Sequence, residues 1–439
     1  MMLRPTSNQQ LAPRPVSWTL ALMGMLIAGS CVTGCGKKAT DGATEAGKSG
    51  AQGAGAANAG TAAEPPKPPT PIDRSMLGAF KPLPKNFDSQ TNPPSEPKLR
   101  LGHKLYFETR LSRSGTISCN SCHNLKTAGV DLQPTSPGHA GKLGDRNSPT
   151  VFNAAGHFRQ FWDGREPDVE AQAKGPVLNA VEHGLKDAAE VEAILKAIPA
   201  YVALFERAFP QAGKNAVTFD NFAKAVGAFE RKLVTPAAWD RFLEGDDGAL
   251  STEQKIGARL FVEVGCLSCH NGPLLGGTTY QKLGKVRAWP KLTDEGRKKE
   301  TGMAADLHHF KVPSLRNVAR TMPYFHDGTT ADLGEAVKLM ARHQLGRDLS
   351  DAEVSLLVGF LDCLTGEPPA EWTETPELPA QIEAKPSAAA VIPAVRTPPA
   401  AVEIAPRQPD SVPHAPPGPG SSPPPPLPPA DHVPPPPEK

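Results

Sequence analysis

The sequence predicts an all-α chain with long loops, and three observations carry that expectation. Apolar residues recur at helical spacing over 187–209 (Val191, Ile194, Leu195, Ile198, Val202, Phe205) and over 218–233 (Phe222, Val226, Phe229, Leu233). Two capping boxes, Ser251 with Gln254 and Ser350 with Glu353, each open an apolar run of the same period. The first run carries Ile256, Leu260, Phe261 and Val264, and the second Leu356, Leu357, Phe360, Leu361 and Leu364. Few stretches alternate apolar and polar residues as half-buried strands do.

The flanks differ from this middle. Arg4 and Arg14 precede an apolar run from Trp18 to Val32, which is short for a membrane span and reads as a signal peptide over 1–34. It ends in Val32-Thr33-Gly34-Cys35, which resembles the lipobox of bacterial lipoproteins. That resemblance implies cleavage before Cys35, lipidation of its thiol, and a membrane-anchored protein of the periplasmic space, with the outer membrane preferred to the inner. Cys31, with Ala28 three residues before it, is the poorer match. Residues 35–74 are rich in Gly, Ala and Pro, and residues 373–439 in Pro. Neither segment has enough large apolar residues to offset the entropy of ordering, so a flexible tether and a disordered tail are expected. Lys and Arg number 47 against 46 Asp and Glu, so there is no basic excess of the kind nucleic-acid binding needs.

Of seven cysteines, four form Cys119-Asn-Ser-Cys122-His123 and Cys266-Leu-Ser-Cys269-His270. Cys-x-x-Cys-His is the attachment motif of c-type haem: two thiols bond the vinyl groups, and the adjacent imidazole is placed under the iron. A redox dithiol or a zinc pair needs no histidine there. Cys363 lies on an apolar helix face and reads as a buried, inert thiol. Leu101-Gly102-His103-Lys104-Leu105-Tyr106-Phe107 precedes the first motif and Ile256-Gly257-Ala258-Arg259-Leu260-Phe261 the second. This repeat predicts two cytochrome c-like haem domains related by duplication, at 75–234 and 235–372.

Function then turns on the sixth ligands, because an iron with two strong protein ligands transfers electrons and one with an open face binds small molecules. His139, His157, His183, His308, His309, His326, His343, Met303, Met322 and Met340 are all candidates, and spacing does not choose among them.

Over residues 99–366 the chain resembles the bacterial di-haem cytochrome c peroxidases. The matching segments are Ile117-Ser-Cys-Asn-Ser-Cys-His-Asn-Leu125, Pro134-Thr-Ser-Pro-Gly-His139, Arg146-Asn-Ser-Pro-Thr-Val151 and Phe161-Trp-Asp-Gly-Arg165. They continue with Gln172-Ala-Lys-Gly-Pro-Val177, Val312-Pro-Ser-Leu-Arg-Asn-Val318, Pro323-Tyr-Phe-His-Asp-Gly328 and Glu335-Ala-Val-Lys-Leu-Met340. The resemblance implies that His123 is proximal to an N-terminal peroxidatic haem with His139 as its removable distal ligand. It implies His270 and Met340 as ligands of a C-terminal, high-potential haem. Glu182 and Gln172 become distal catalytic residues, and Trp162 the aromatic between the haems. Asn147, Thr321 and Pro323 become a calcium site that lacks a carboxylate, so water would complete its shell. Without the resemblance, Glu182 reads as a surface carboxylate and Trp162 as core packing.

The activity so implied is reduction of hydrogen peroxide to water. Electrons come from a small cytochrome c or blue copper protein, entering at the C-terminal haem, and the resemblance implies a homodimer. Two alternatives differ in class. A pure electron-transfer di-haem cytochrome would keep both irons six-coordinate in every redox state. A di-haem oxidase of the methylamine dehydrogenase maturation type has Tyr where this chain has Met340, and an open first haem where this chain offers His139.

Overall fold

The computed structural model describes residues 69–380. The expected signal peptide, Cys31, Cys35, the expected tether up to residue 68 and the expected tail from residue 381 lie outside the described residues.

Twelve helical segments are joined by long loops: α1 (Glu96–Tyr106), α2 (Cys119–Cys122), α3 (Val169–Leu178), α4 (Ala188–Lys196), α5 (Pro199–Ala208), α6 (Phe219–Glu230), α7 (Ala238–Leu243), α8 (Thr252–Val264), α9 (Lys298–Thr301), α10 (Leu333–Leu345), α11 (Asp351–Asp362) and α12 (Ala370–Thr373). Both predicted boxes cap real helices: Ser251 accepts from the Gln254 amide at the start of α8, and Ser350 from that of Glu353 at the start of α11. The segment 187–209 is two helices rather than one. Its apolar period runs unbroken, but Pro199 has no amide hydrogen to donate, so α4 ends at Lys196 and the proline takes the first position of α5. The all-α expectation also misses a two-stranded antiparallel ribbon, β1 (Tyr280–Lys282) with β2 (His309–Lys311). Each strand is three residues long, too short for an alternating pattern to register.

The buried apolar residues form two clusters. One gathers α1 and α3–α6, with Leu101, Tyr106, Phe205, Phe222 and Phe229 at its centre. The other gathers α7, α8 and α11 around Trp239, Phe261 and Phe360. Both are built on the same crossing. A Cβ on Gly102 of α1 would lie 1.9 Å from the Ala225 carbonyl oxygen of α6, and one on Gly257 of α8 would lie 2.0 Å from that of Leu356 in α11. Only a residue without a side chain permits such an approach. In each crossing the next neighbour is a phenylalanine, Phe229 or Phe360.

The ends of the described chain cross over. Ile72 and Phe80, which precede α1, pack into the second cluster, and Phe80 meets Trp239 edge-on at 5.2 Å. Trp372 and Leu378, which follow the second cluster in sequence, pack onto the first. Residues 373–380, expected to begin a disordered tail, and 72–74, expected to end the flexible tether, are therefore docked, because Ile72 is apolar enough to be buried. His103 Nε2 donates to the Glu374 carbonyl at 2.9 Å and Arg110 to that of Pro379 at 2.9 Å, while the Arg100 guanidinium lies 4.8 Å over the Trp372 ring. One large aromatic and two main-chain acceptors dock a segment whose composition alone suggests no docking. Among the described residues no helix is long and apolar enough to cross a membrane.

Candidate active site

The two Cys-x-x-Cys-His motifs fold alike. Each is a single helical turn in which the histidine amide donates back to the first cysteine's carbonyl, His123 to Cys119 at 2.9 Å and His270 to Cys266 at 3.0 Å. Ser118 opens the first turn by donating its amide to Ser121 Oγ at 3.0 Å. Gly265, at φ 103°, ends α8 and turns the chain into the second. The imidazoles are locked in the same way: His123 Nδ1 bonds the Pro149 carbonyl and His270 Nδ1 that of Leu275, both at 2.9 Å. A carbonyl only accepts, so Nδ1 carries the proton and Nε2 keeps its lone pair for a metal. Burial lowers the pKa of both rings and holds them neutral, the form that ligates. Four reduced cysteines, two neutral imidazoles and free Nε2 lone pairs fit two c-type haems.

The opposite faces differ. Near the first motif, His139 sits on a short turn whose amide donates to the carbonyls of Val181 and Glu182, at 2.8 and 2.7 Å. Its ring lies so close to Gly184 that a Cβ there would be 3.1 Å away, and its Nδ1 is buried with no partner among the described residues. Glu182 is half-buried and accepts from Asn179 Nδ2 at 2.7 Å. Burial raises its pKa, while Arg165 and the Asn179 bond oppose the rise. Gln172 lies half-buried on α3, one turn after the Asp168 cap.

Near the second motif, Cys266, Cys269 and His270 line a cavity of about 270 Å³ together with Met340 of α10. Trp162, Asn147, Thr321 and Pro323 line the same cavity. Trp162 is fixed at both ends: its Nε1 donates to the Asn147 carbonyl at 2.9 Å, and its carbonyl accepts from the Lys311 amide at 2.7 Å. Asn147 Nδ2 donates to the Gln133 carbonyl at 2.9 Å, and the Asn147 backbone N–H to the His326 carbonyl at 2.8 Å.

Comparison with known proteins bears on this arrangement. Residues 96–248 match the family described as di-haem cytochrome c peroxidase. The chain is 47% identical over 298 residues to cytochrome c551 peroxidase of Pseudomonas aeruginosa, covering 66% of this chain and 85% of that one. It is 45% identical over 272 residues to the cytochrome c551 peroxidase of Nitrosomonas europaea, covering 61% and 80%.

The chain belongs to the di-haem cytochrome c peroxidase family.

It is thus an oxidoreductase that uses haem. The methylamine utilization protein MauG of Methylorubrum extorquens is more distant, 32% identical over 293 residues, covering 64% of this chain and 82% of that one. Among solved structures, a MauG-like protein associated with microbial copper homeostasis superposes with TM-score 0.60 at 27% identity, covering 67% of this chain and 97% of that one. The diheme peroxidase BthA from Burkholderia thailandensis shares the fold, with TM-score 0.54 at 18% identity over 68% of this chain and 94% of that one.

Several residues of this peroxidase were not singled out in the sequence. Arg316, 1% exposed, makes paired bonds of 2.6 and 2.8 Å to Asp240 and a third to the Pro273 carbonyl, which pins the segment facing His270. The partners are 76 residues apart, so no local pattern links them. Tyr106 donates its hydroxyl to the His123 carbonyl at 2.6 Å. Arg165 stacks 3.4 Å over Phe161 and bonds Asp163 at 2.8 Å. Cys363 is buried, as its apolar surroundings predict; burial pushes its thiol up to about 12, and Sγ donates to the Phe360 carbonyl.

Proposed function

We infer that this peroxidase reduces hydrogen peroxide to two waters, taking electrons from a small cytochrome c or blue copper donor. They enter at the His270/Met340 side and pass to the His123 side. When bound, the two covalent c-type haems supply the electrons that cleave the peroxide O–O bond. The observation that carries the assignment is the contrast in distal groups. A carboxyl of raised pKa and a loop-borne histidine serve the first motif, and a helix-borne thioether the second.

The protein's residues divide the remaining work. Glu182 takes the proton from the nearer peroxide oxygen and returns it to the farther one, which leaves as water. Gln172, on the same side, orients the peroxide. Met340 keeps the potential of its site high, as thioether ligation does. Trp162, braced at both ends, lies between the electron-entry cavity and the peroxidatic half. Asn147, Thr321 and Pro323 hold a calcium ion that ties residues before and after the cavity together; exhaustive chelation should reduce activity, and unchanged turnover would remove the ion from the scheme. The two cytochrome c-like domains are 75–234 and 235–372. Cys35 anchors the chain by lipid in the periplasmic space, the segment between Cys35 and the docked Ile72 serves as the tether, and two copies form a homodimer.

His139 is the gate of this scheme. With haem bound, His139 would be the residue placed to ligate the first iron in the oxidised enzyme, and the loop that carries it would need a second state in which His139 is withdrawn. His139→Gly should make the first haem high-spin when fully oxidised, and active without prior reduction. A variant that stays low-spin and still needs reduction would assign the gate to another residue.

A further inference from the structure

We propose that Lys311 and His157 form a seat for a propionate carboxylate of the haem attached at Cys266 and Cys269, and that the Lys311 charge raises that haem's electron affinity. The proposal rests on the reading that this motif carries a covalent haem.

Lys311 ends β2 and is 6% exposed. Its Nζ lies 2.8 Å from His157 Nδ1. An ammonium only donates, so Nδ1 accepts and the imidazole proton sits on Nε2. That Nε2 is buried and has no partner among the described residues. The ring is held in place: Phe158 donates its amide to the Gly277 carbonyl at 2.9 Å, and a Cβ on Gly277, seven residues beyond His270, would lie 2.6 Å from the ring.

The His157 Nε2–H therefore has no acceptor among the described residues, and the Lys311 ammonium has one, the His157 ring, for its three N–H bonds. Asp163 is the carboxylate whose charge reaches Lys311, but it is already bonded by Arg146 at 2.5 Å and Arg165 at 2.8 Å. His326 packs on Phe310, the neighbour of Lys311, and adds no acceptor to Nζ. Burial accordingly pushes the Lys311 pKa down to about 7 in the protein alone. A buried ammonium with no anion bonded to it and a buried N–H without an acceptor are costly. An oxygen anion between them removes that cost. Lys311 and His157 line the same cavity as Cys266, Cys269 and His270. A haem held there by its vinyl carbons brings two carboxylates on its other edge.

A fixed positive charge beside this edge favours the reduced iron. Once paired with a carboxylate, Lys311 also keeps its proton through the neutral range.

The test uses the full-length holoprotein. Mass analysis of the peptide containing Cys266 and Cys269 checks the attachment itself; an unmodified peptide would overturn that reading. With haem attached there, the potential of the thioether-ligated haem is titrated spectroelectrochemically against pH. Lys311→Met should weaken its reduction equilibrium roughly tenfold, about 59 mV for one electron, and Lys311→Arg should stay near wild type. The wild-type potential should be flat across neutral pH. Equal potentials in Lys311→Met and wild type would overturn the seat. So would a wild-type potential that falls as pH rises through neutrality, the signature of an unpaired Lys311 losing its proton, and this second result does not depend on any variant folding.

Discussion

In the first half of the molecule Gly102 lets α1 touch the backbone of α6, and in the second Gly257 lets α8 touch that of α11. Each crossing delivers the chain to a Cys-x-x-Cys-His turn whose histidine is locked by a carbonyl at 2.9 Å. The halves diverge on the far side of the imidazole. The first faces loops, in which His139 hangs on the 181–182 carbonyls and Glu182 on Asn179. The second faces α10, a thirteen-residue helix carrying Met340. A ligand on a helix is held by a ladder of backbone bonds; a ligand on a loop is held by two or three. The contrast teaches that the two halves share the crossing and the histidine lock that hold the motif, and differ in what carries the group on the far side, a loop in one and a helix in the other.

The strongest way to break this comparison is to remove the group that only one half has. Glu182→Gln should lower kcat roughly 10²–10⁴-fold, the usual worth of a positioned acid–base group. The potential of the His270/Met340 haem and the haem content should not change. Turnover within a few-fold of wild type would return Glu182 to the status of a surface carboxylate.

What the sequence makes legible follows the range of the signals. Capping boxes, attachment motifs and the repeated Gly before each motif act within a few residues, and the structure contains all of them. Pro199 is equally local, but the apolar period continues across it and hides the break. The Asp240–Arg316 pair and the docking of Trp372 join residues far apart in sequence, where no periodic pattern runs. The roles of His139 and Glu182 needed the family resemblance, since a loop histidine and a carboxylate after a helix have no signature of their own.

The crossed ends allow a second test, which separates the halves by stability. Trp372 packs on Phe229 at 6.0 Å and His103 at 5.6 Å, within the first cluster. Trp372→Ala should cost about 3–5 kcal/mol, the range for truncating a buried Trp. Calorimetry should show the loss in the transition that carries the His123 haem, with the thioether-ligated haem retaining its absorption to the wild-type temperature. A single transition shifted as a whole would mean the two clusters unfold as one unit despite their separate cores.

The smallest expected effect concerns the balance that sets Glu182. Burial raises its pKa, and the Arg165 charge is the largest force opposing that rise. Glu182 has to be ionised to take the peroxide proton, so activity should fall on the acid side as it protonates. Arg165→Gln removes the opposing charge, and the Glu182 pKa moves further up. The acid limb of the pH–rate profile should then shift to higher pH. At alkaline pH the variant should converge on wild type, because Glu182 is ionised in both. Asp163 keeps its Arg146 partner at 2.5 Å, so the fold around Trp162 stays paired. Arg165→Lys keeps the charge while giving up the flat stack on Phe161, and should leave the limb where it is. A limb that moves in Arg165→Lys as far as in Arg165→Gln would mean that the stacking, and not the charge, shapes the distal pocket of the first half.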